Sequence, residues 1–152
     1  MNQQELKQAL YKTLLHQLEQ KIIETKVSLK SAIESRDNDT KSSAGDKHET
    51  ARAMVQIEID KSEDQLKKTI DLQSELLSLN LEKQYKKIEK GCLVVTNTEM
   101  FFISIGLGKI LFNESIYYAI SLVSPIGALL KDKVVGDKVQ FNGKELLVKG
   151  IY

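Results

Sequence analysis

Two carboxylates three residues apart stand where the helical pattern of the N-terminal region is interrupted. Asp46 and Glu49 lie in residues 45–52, directly after a polar stretch. Such oxygen ligands suit Mg²⁺, which keeps several waters and takes one or two carboxylates. A metal held in this way activates water for phosphodiester hydrolysis. The same spacing also fits a variant capping box, in which both acids serve the start of a helix.

Basic side chains surround this pair of acids. They are Arg36, Lys41, Lys47 and Arg52. Arginine and lysine at such a position contact the phosphates of RNA. Asp37 and Asp39 balance part of this charge, so an ordinary solvated loop fits the residues as well. The sequence leaves both interpretations open.

The residues on either side of this segment predict two long helices. Their apolar residues recur at spacings of three, four or seven, which places them on one stripe of a helix. In the first helix these are Leu6, Leu10, Leu14, Leu18, Ile22, Leu29 and Ile33, and in the second Ala51, Val55, Ile59, Leu66, Ile70, Leu76 and Leu77. Residues 36–45 contain no large apolar residue and predict a loop. We therefore expect residues 1–89 to form an antiparallel coiled-coil hairpin with its tip near residues 37–49, about 45 to 55 Å long.

Residues 90–152 predict a small β-rich domain. Seven of the eight glycines and the only proline lie after Lys90, where they punctuate short strands. Strands are expected at residues 92–96, 100–105, 116–123, 138–141 and 146–151. Turns are expected at residues 97–98 and 106–108, and Asn142-Gly143 predicts a hairpin turn. Ser124 followed by Pro125 predicts the cap and first residue of a short helix. The fold class is therefore α+β.

The composition excludes several classes of protein. Lys plus Arg number 22 and Asp plus Glu 21, which argues against a protein that coats nucleic acid by charge alone. The single cysteine, Cys92, predicts a buried apolar side chain, since it has no partner for a disulfide. Neither a secretory signal nor a membrane-spanning run is visible, so we expect a cytoplasmic protein with no membrane partner.

A segment at the tip and a C-terminal segment, residues 120–139, together resemble the Gre family of bacterial transcript-cleavage factors. Gly45-Asp46-x-x-Glu49-x-Ala51 is similar to that family's Gly-Asp-x-x-Glu-Asn-Ala pattern. Residues 120–130, which include Ser124, Pro125, Ile126 and Gly127, are similar to its Ile-Ser-x-x-Ser-Pro element, and residues 135–139 to its Gly-Asp-x-Val element. The order of a helical hairpin followed by a β domain is also that of the family.

The resemblance implies a coiled-coil finger and an FKBP-like C-terminal domain that act on RNA polymerase. The C-terminal domain would dock beside the secondary channel through Ser124, Pro125, Ile126 and Gly127. The finger would bring Asp46 and Glu49 to the nascent RNA 3′ end. There they would share a Mg²⁺ that is bound only in the polymerase complex. The expected function is stimulated cleavage of backtracked RNA by a monomeric accessory factor that is not itself an enzyme.

Two other functions fit the same pattern. The family continues with Asn, Ala, Glu and Tyr after its glutamate, where this chain has Thr50, Ala51, Arg52 and Ala53. A regulator that enters the channel without cleaving RNA would keep the docking segment and lose the need for both acids. A structural hairpin unrelated to polymerase would need neither the docking segment nor the two acids. A stand-alone enzyme is not expected, since the sequence offers no set of nucleophile, base and orienting group.

Overall fold

The computed structural model describes residues 1–39 and 45–152, apart from the side chains of residues 39–48. Two long helices come first, α1 (Gln3–Asp39) and α2 (Gly45–Leu77). The strands β1 (Leu93–Thr96), β2 (Met100–Ile103), β3 (Gly108–Phe112) and β4 (Ser115–Ile120) follow, then helix α3 (Pro125–Leu130) and strands β5 (Lys138–Phe141) and β6 (Lys144–Ile151). The expected α+β class, with two packed N-terminal helices before a sheet, is confirmed.

The chain forms two compact units, and both long helices have residues in each of them. The sheet unit comprises Met1–Leu14 and Glu75–Tyr152, and the arm unit comprises Leu15–Ser74. None of the helices in the described ranges combines the length and the apolar character needed to cross a membrane.

The arm unit is held together by a narrow apolar seam between α1 and α2. Leu18, Ile22 and Ile59 are buried in it. The sequence places Ile70 in this seam, but its side chain is 39% exposed and Thr69 is buried instead. Thr69 can occupy an apolar seam because its hydroxyl donates to the backbone carbonyl of Gln65 at 2.8 Å.

Helical structure extends into both ends of the segment 36–45, where the sequence predicts a loop. Helix α1 continues to Asp39 and α2 already begins at Gly45, so residues 36–39 are helical. The apolar stripe has ended by Arg36, but polar contacts replace it. Arg36 donates from Nη1 to Oε1 of Gln56 on the facing helix at 2.9 Å. A hydropathy pattern does not detect a helix end held by such contacts.

The sheet has six strands in the order β3-β4-β2-β1-β6-β5. Strands β2 and β4 are parallel, and the other neighbouring pairs are antiparallel. The predicted hairpin turn between β5 and β6 is confirmed, since Asn142 and Gly143 both have positive φ angles, 50° and 76°.

Strand β3 was not predicted, and the strand expected at residues 116–123 ends early. β3 pairs with β4 across a two-residue turn in which Asn113 and Glu114 have φ angles of 47° and 62°. Glutamate is unusual in that conformation, so the turn gives little signal in the sequence. β4 ends at Ile120 because the carbonyl of Ser121 accepts hydrogen bonds from both the amide and the hydroxyl of Ser124.

The central strands of the sheet, β1 and β2, are buried on both faces. Adjacent side chains of β1, Leu93 and Val94, are both fully buried although they point to opposite faces. One face packs with α3 through Ile126 and Leu130, and Cys92 is buried in the same core, as predicted. Burial raises the pKa of the Cys92 thiol to about 11. The side chains buried on the other face are Leu93, Phe102, Ile110, Tyr117 and Ala119. The buried apolar side chains of the helix ends in this unit are Leu6, Leu10, Leu14 and Leu76.

A buried lysine lies among these helix residues. Lys7 is fully buried, and its Nζ has no hydrogen-bond partner in the described part of the chain. Its ammonium lies 5.1 Å from the ring centroid of Tyr85, a cation–π contact that offsets part of the cost of burial. Burial lowers the pKa of Lys7 below its ordinary value of 10.5, against the opposing influence of Cys92 and Glu82.

We expect Lys7→Met to change how stability depends on pH. Because the pKa of Lys7 is lower in the folded chain, the unfolded chain binds more protons between that lowered pKa and 10.5. The free energy of unfolding of the wild type should therefore rise with pH across this window relative to the variant. Lys7→Met should also be more stable near pH 7, by about 1 kcal/mol or more. Urea unfolding from pH 6 to pH 11 measures both effects.

Lys12→Met is the matched control, since Lys12 is an exposed lysine on the same helix. Its free energy of unfolding should differ from that of the wild type by the same amount at every pH. If the difference for Lys7→Met were also constant with pH, Lys7 would have the same pKa in the folded and unfolded chains.

Candidate functional site

A shallow cleft lies between the two helices where α1 ends and α2 begins. Its volume is about 370 Å³. It is lined by Arg36, Asp37, Glu49, Arg52, Ala53 and Gln56. Three side chains singled out from the sequence, Arg36, Glu49 and Arg52, therefore lie together. The cleft belongs entirely to the arm unit.

Arg36 is fixed by its neighbours on both helices. Its Nε donates to Oδ1 of Asp37 at 3.0 Å, and its Nη1 donates to Gln56. Gln56 in turn donates from Nε2 to Oδ1 of Asp60 at 3.0 Å. The Arg36–Asp37 pair is partly exposed, so it contributes at most about 1 kcal/mol to stability. These contacts hold α1 and α2 at a fixed distance from each other near the end of α1.

Glu49 and Arg52 line the same cleft with exposed side chains. They lie on one side of α2, because residues three apart are neighbours on a helix surface. Two guanidinium groups and two carboxylates line the cleft, so their formal charges cancel. Such a cleft does not attract nucleic acid by net charge. It can place one carboxylate beside a cation and one guanidinium beside a phosphate.

The rest of the predicted tip site lies outside the described residues. This applies to Lys41 as a whole and to the side chains of Asp46 and Lys47. The backbone of Asp46 and Lys47 belongs to the first turn of α2, which begins at Gly45. Among the described residues, no group of three or more His, Cys, Asp or Glu side chains could hold a metal ion.

The predicted docking segment forms the start of α3 in the sheet unit. Ser124 caps the helix, with its Oγ accepting from the Gly127 amide at 3.1 Å, and Pro125 is the first helical residue. This agrees with the predicted cap. Ile126 and Gly127 are buried, whereas Pro125 is exposed and the neighbouring Val123 is 92% exposed. Val123 was not singled out from the sequence, where a valine at the end of a predicted strand signals a core residue.

A cavity of about 340 Å³ lies on the α3 side of the sheet. Phe101 and Tyr118 line it, with ring centroids 5.9 Å apart, and Ile126 and Phe141 add further apolar surface. These residues come from four separate elements, so their spacing along the chain gives no sign of a common cavity. Glu99 also lines it and forms an ion pair with Lys144 at 3.5 Å.

No protein-family model matches this sequence, and none of the curated proteins matches it either.

Gly127→Ala tests how closely α3 must approach the turn before it. A Cβ at Gly127 would overlap the carbonyl oxygen of Ser121 and lie 2.9 Å from Cα of Leu122. Since both obstacles are backbone atoms, we expect the substitution to lower the free energy of unfolding by about 1–3 kcal/mol. Denaturant unfolding measures the loss.

Gly106→Ala is the control, because a Cβ at Gly106 meets nothing within 4 Å. It should change stability by less than about 0.5 kcal/mol. Equal stability of the two variants would show that the turn moves away from α3 at little cost.

Proposed function

We propose that this protein is an accessory factor of bacterial RNA polymerase that stimulates cleavage of backtracked RNA. Its helical hairpin enters the secondary channel, and its tip reaches the nascent RNA 3′ end. The protein acts in the cytoplasm, where transcription takes place. The proposal rests on the resemblance of residues 45–51 and 120–130 to the Gre family and on the geometry of the arm unit.

The exposed carboxylate of Glu49 carries this proposal. It lies in a cleft between two packed helices, on the first turns of α2. A carboxylate lent to another active site must be exposed, and it must stand on a rigid element that fixes its position. Helix α2 and the Arg36–Gln56 contact across the arms supply that rigidity.

Asp46 and Glu49 would each contribute one carboxylate to Mg²⁺ at the polymerase active centre. Two ligands from this chain are enough, since Mg²⁺ takes its remaining ligands from water and from other groups. The metal, when bound, would supply Lewis acidity and an activated water. Arg52, with Lys41 and Lys47, would bind RNA phosphates. Arg36 instead holds the arms in place through Asp37 and Gln56.

The sheet unit would dock on the polymerase through the start of α3. Pro125 and Val123 offer exposed apolar surface there. Ser124, Ile126 and Gly127 would shape this surface from within, as a cap and as buried residues. A change at Gly127 would therefore affect docking indirectly, through the position of the helix.

The first experiment measures RNA cleavage by stalled, backtracked polymerase from the organism that encodes this protein. We expect the wild type to stimulate cleavage. Asp46→Asn combined with Glu49→Gln should reduce it by at least ten- to a hundredfold, because losses of roughly that size follow when only an outer-shell partner of a metal ligand is removed. Binding of the variant to polymerase should be unchanged, because the docking segment is intact.

Glu58→Gln is the matched control, since Glu58 is another exposed carboxylate of α2, farther from the tip. It should leave cleavage unchanged. Polymerase binding without cleavage by the wild type would favour the non-cleaving regulator. Failure of the wild type to bind polymerase would reject both functions.

The isolated protein should show no nuclease activity at any Mg²⁺ concentration. In this proposal the chain supplies only two carboxylate ligands, so the remaining ligands of the metal and the bound RNA would come from the polymerase complex. Incubation of labelled RNA with the purified protein, with and without polymerase, checks this. Robust metal-dependent cleavage by the protein alone would contradict the accessory role.

A further inference from the structure

The outer face of α1 carries apolar side chains that the α1–α2 seam does not bury. Ile23 is 55% exposed and Val27, one turn later, is 66% exposed. They border a groove of about 620 Å³ that continues along the same helix. The groove is otherwise lined largely by small side chains, which are Ser28, Ser31, Ala32 and Ser35.

This arrangement is typical of a helix that packs against another helix. A large side chain beside a row of small ones leaves a groove that accepts the large side chains of a partner. Along this groove Ile23 and Glu24 precede Val27, and the small side chains follow it. The partner must therefore present large residues opposite Ser31 and small residues opposite Ile23.

A second copy of the same helix, running antiparallel, meets this requirement. A two-fold axis through Val27 brings the valines of the two copies together. It also places Ile23 of each copy opposite Ser31 of the other, since both are four residues from Val27. Each large side chain then faces the small-residue groove of its partner.

The charges along the stripe fit the same pairing. Glu24 and Lys30 are each three residues from Val27. The axis therefore places Glu24 of each copy opposite Lys30 of the other, which gives two pairs. Both are exposed. Within the part of the chain that the structure describes, neither forms an ion pair. Opposite charges arranged in this way fix the register and direction of a pair.

Two exposed apolar side chains near the middle of α2 lack this complementarity. Ile57 and Met54 of α2 are 61% and 66% exposed. An equivalent axis through Ile57 would place Met54 opposite Asp60, an apolar side chain against a carboxylate. Self-pairing through α2 is therefore disfavoured by the same reasoning that favours α1.

We propose that this protein forms a two-fold dimer through the outer face of α1, with Val27 at the axis and Glu24 paired with Lys30 of the second copy. A contact confined to a few helical turns buries less than the roughly 1,200 Å² of a standard interface. The dimer is therefore weak and reversible. If the proposed function holds, pairing also regulates it, because an arm engaged with a second copy is not free to enter the polymerase channel.

Sedimentation equilibrium of the full-length chain tests the pairing. We expect a monomer–dimer equilibrium for the wild type. Val27→Glu places two carboxylates against each other at the axis and should weaken the dimer by roughly a hundredfold or more. Ile57→Glu adds the same charge at a similarly exposed site and should leave the equilibrium unchanged. Circular dichroism checks that both variants stay folded.

Charge exchange tests the register directly. Glu24→Lys and Lys30→Glu should each weaken the dimer, because each places like charges opposite one another. The double variant Glu24→Lys with Lys30→Glu should restore it. A wild type that remains monomeric up to about 1 mM would overturn the proposal. A dimer that persists in Val27→Glu, or a double variant that fails to recover, would also overturn it.

The regulatory role has a separate measurement. Val27→Glu should bind polymerase more tightly than the wild type at protein concentrations where the wild type is dimeric. Absence of polymerase binding by both proteins would reject the proposed function while leaving the sedimentation result intact. Equal binding by both, with the dimer confirmed, would reject only the regulation.

Discussion

A sheet that is apolar on both faces must be covered on both, and the sheet unit is organised around that requirement. Leu93 and Val94, adjacent in β1, are both fully buried. Helix α3 covers the face that contains Val94. The first turns of α1 and the end of α2 bring further buried leucines to the same compact unit. Strands buried on both faces read as continuous apolar runs in the sequence, as β1 and β2 do, whereas β5 alternates polar and apolar residues.

The burial of Lys7 follows from its position on α1. A packed helix buries a whole stripe of side chains, and the stripe of Leu6 and Leu10 includes position 7. The ring of Tyr85 meets the ammonium, and the Tyr85 hydroxyl lies 3.1 Å from the backbone carbonyls of Asn80 and Lys90. The segment between α2 and β1 is thereby tied to the start of α1. One aromatic side chain therefore serves both the buried charge and the connecting segment.

The arm unit is held together in a different way. Its apolar seam between α1 and α2 is narrow, and the contacts near the end of α1 are polar. Near the tip the helices are joined by Arg36 and Gln56 rather than by apolar packing. Such contacts contribute little to stability, but their geometry is specific. A cleft built in this way keeps Glu49 exposed and close to fixed neighbours. The outer face of α1, with Ile23 and Val27 exposed, offers a second surface on the same unit. If both proposals hold, the arm is recognised at its tip and along its side.

The sequence by itself determined the elements whose signals are local. The apolar period predicted both long helices, Ser124-Pro125 predicted the start of α3, and Asn142-Gly143 predicted the last hairpin. The tip acids and Arg52 were also visible in the sequence, since type and spacing suffice to select them. The tertiary structure decided what depends on distant partners. It buried Thr69 in place of Ile70, extended α1 through the contacts of Arg36, and brought the lining of the cavity beside Ile126 together. Whether a side chain is buried or paired depends on two surfaces in contact. A single stretch of sequence specifies only one of those two surfaces.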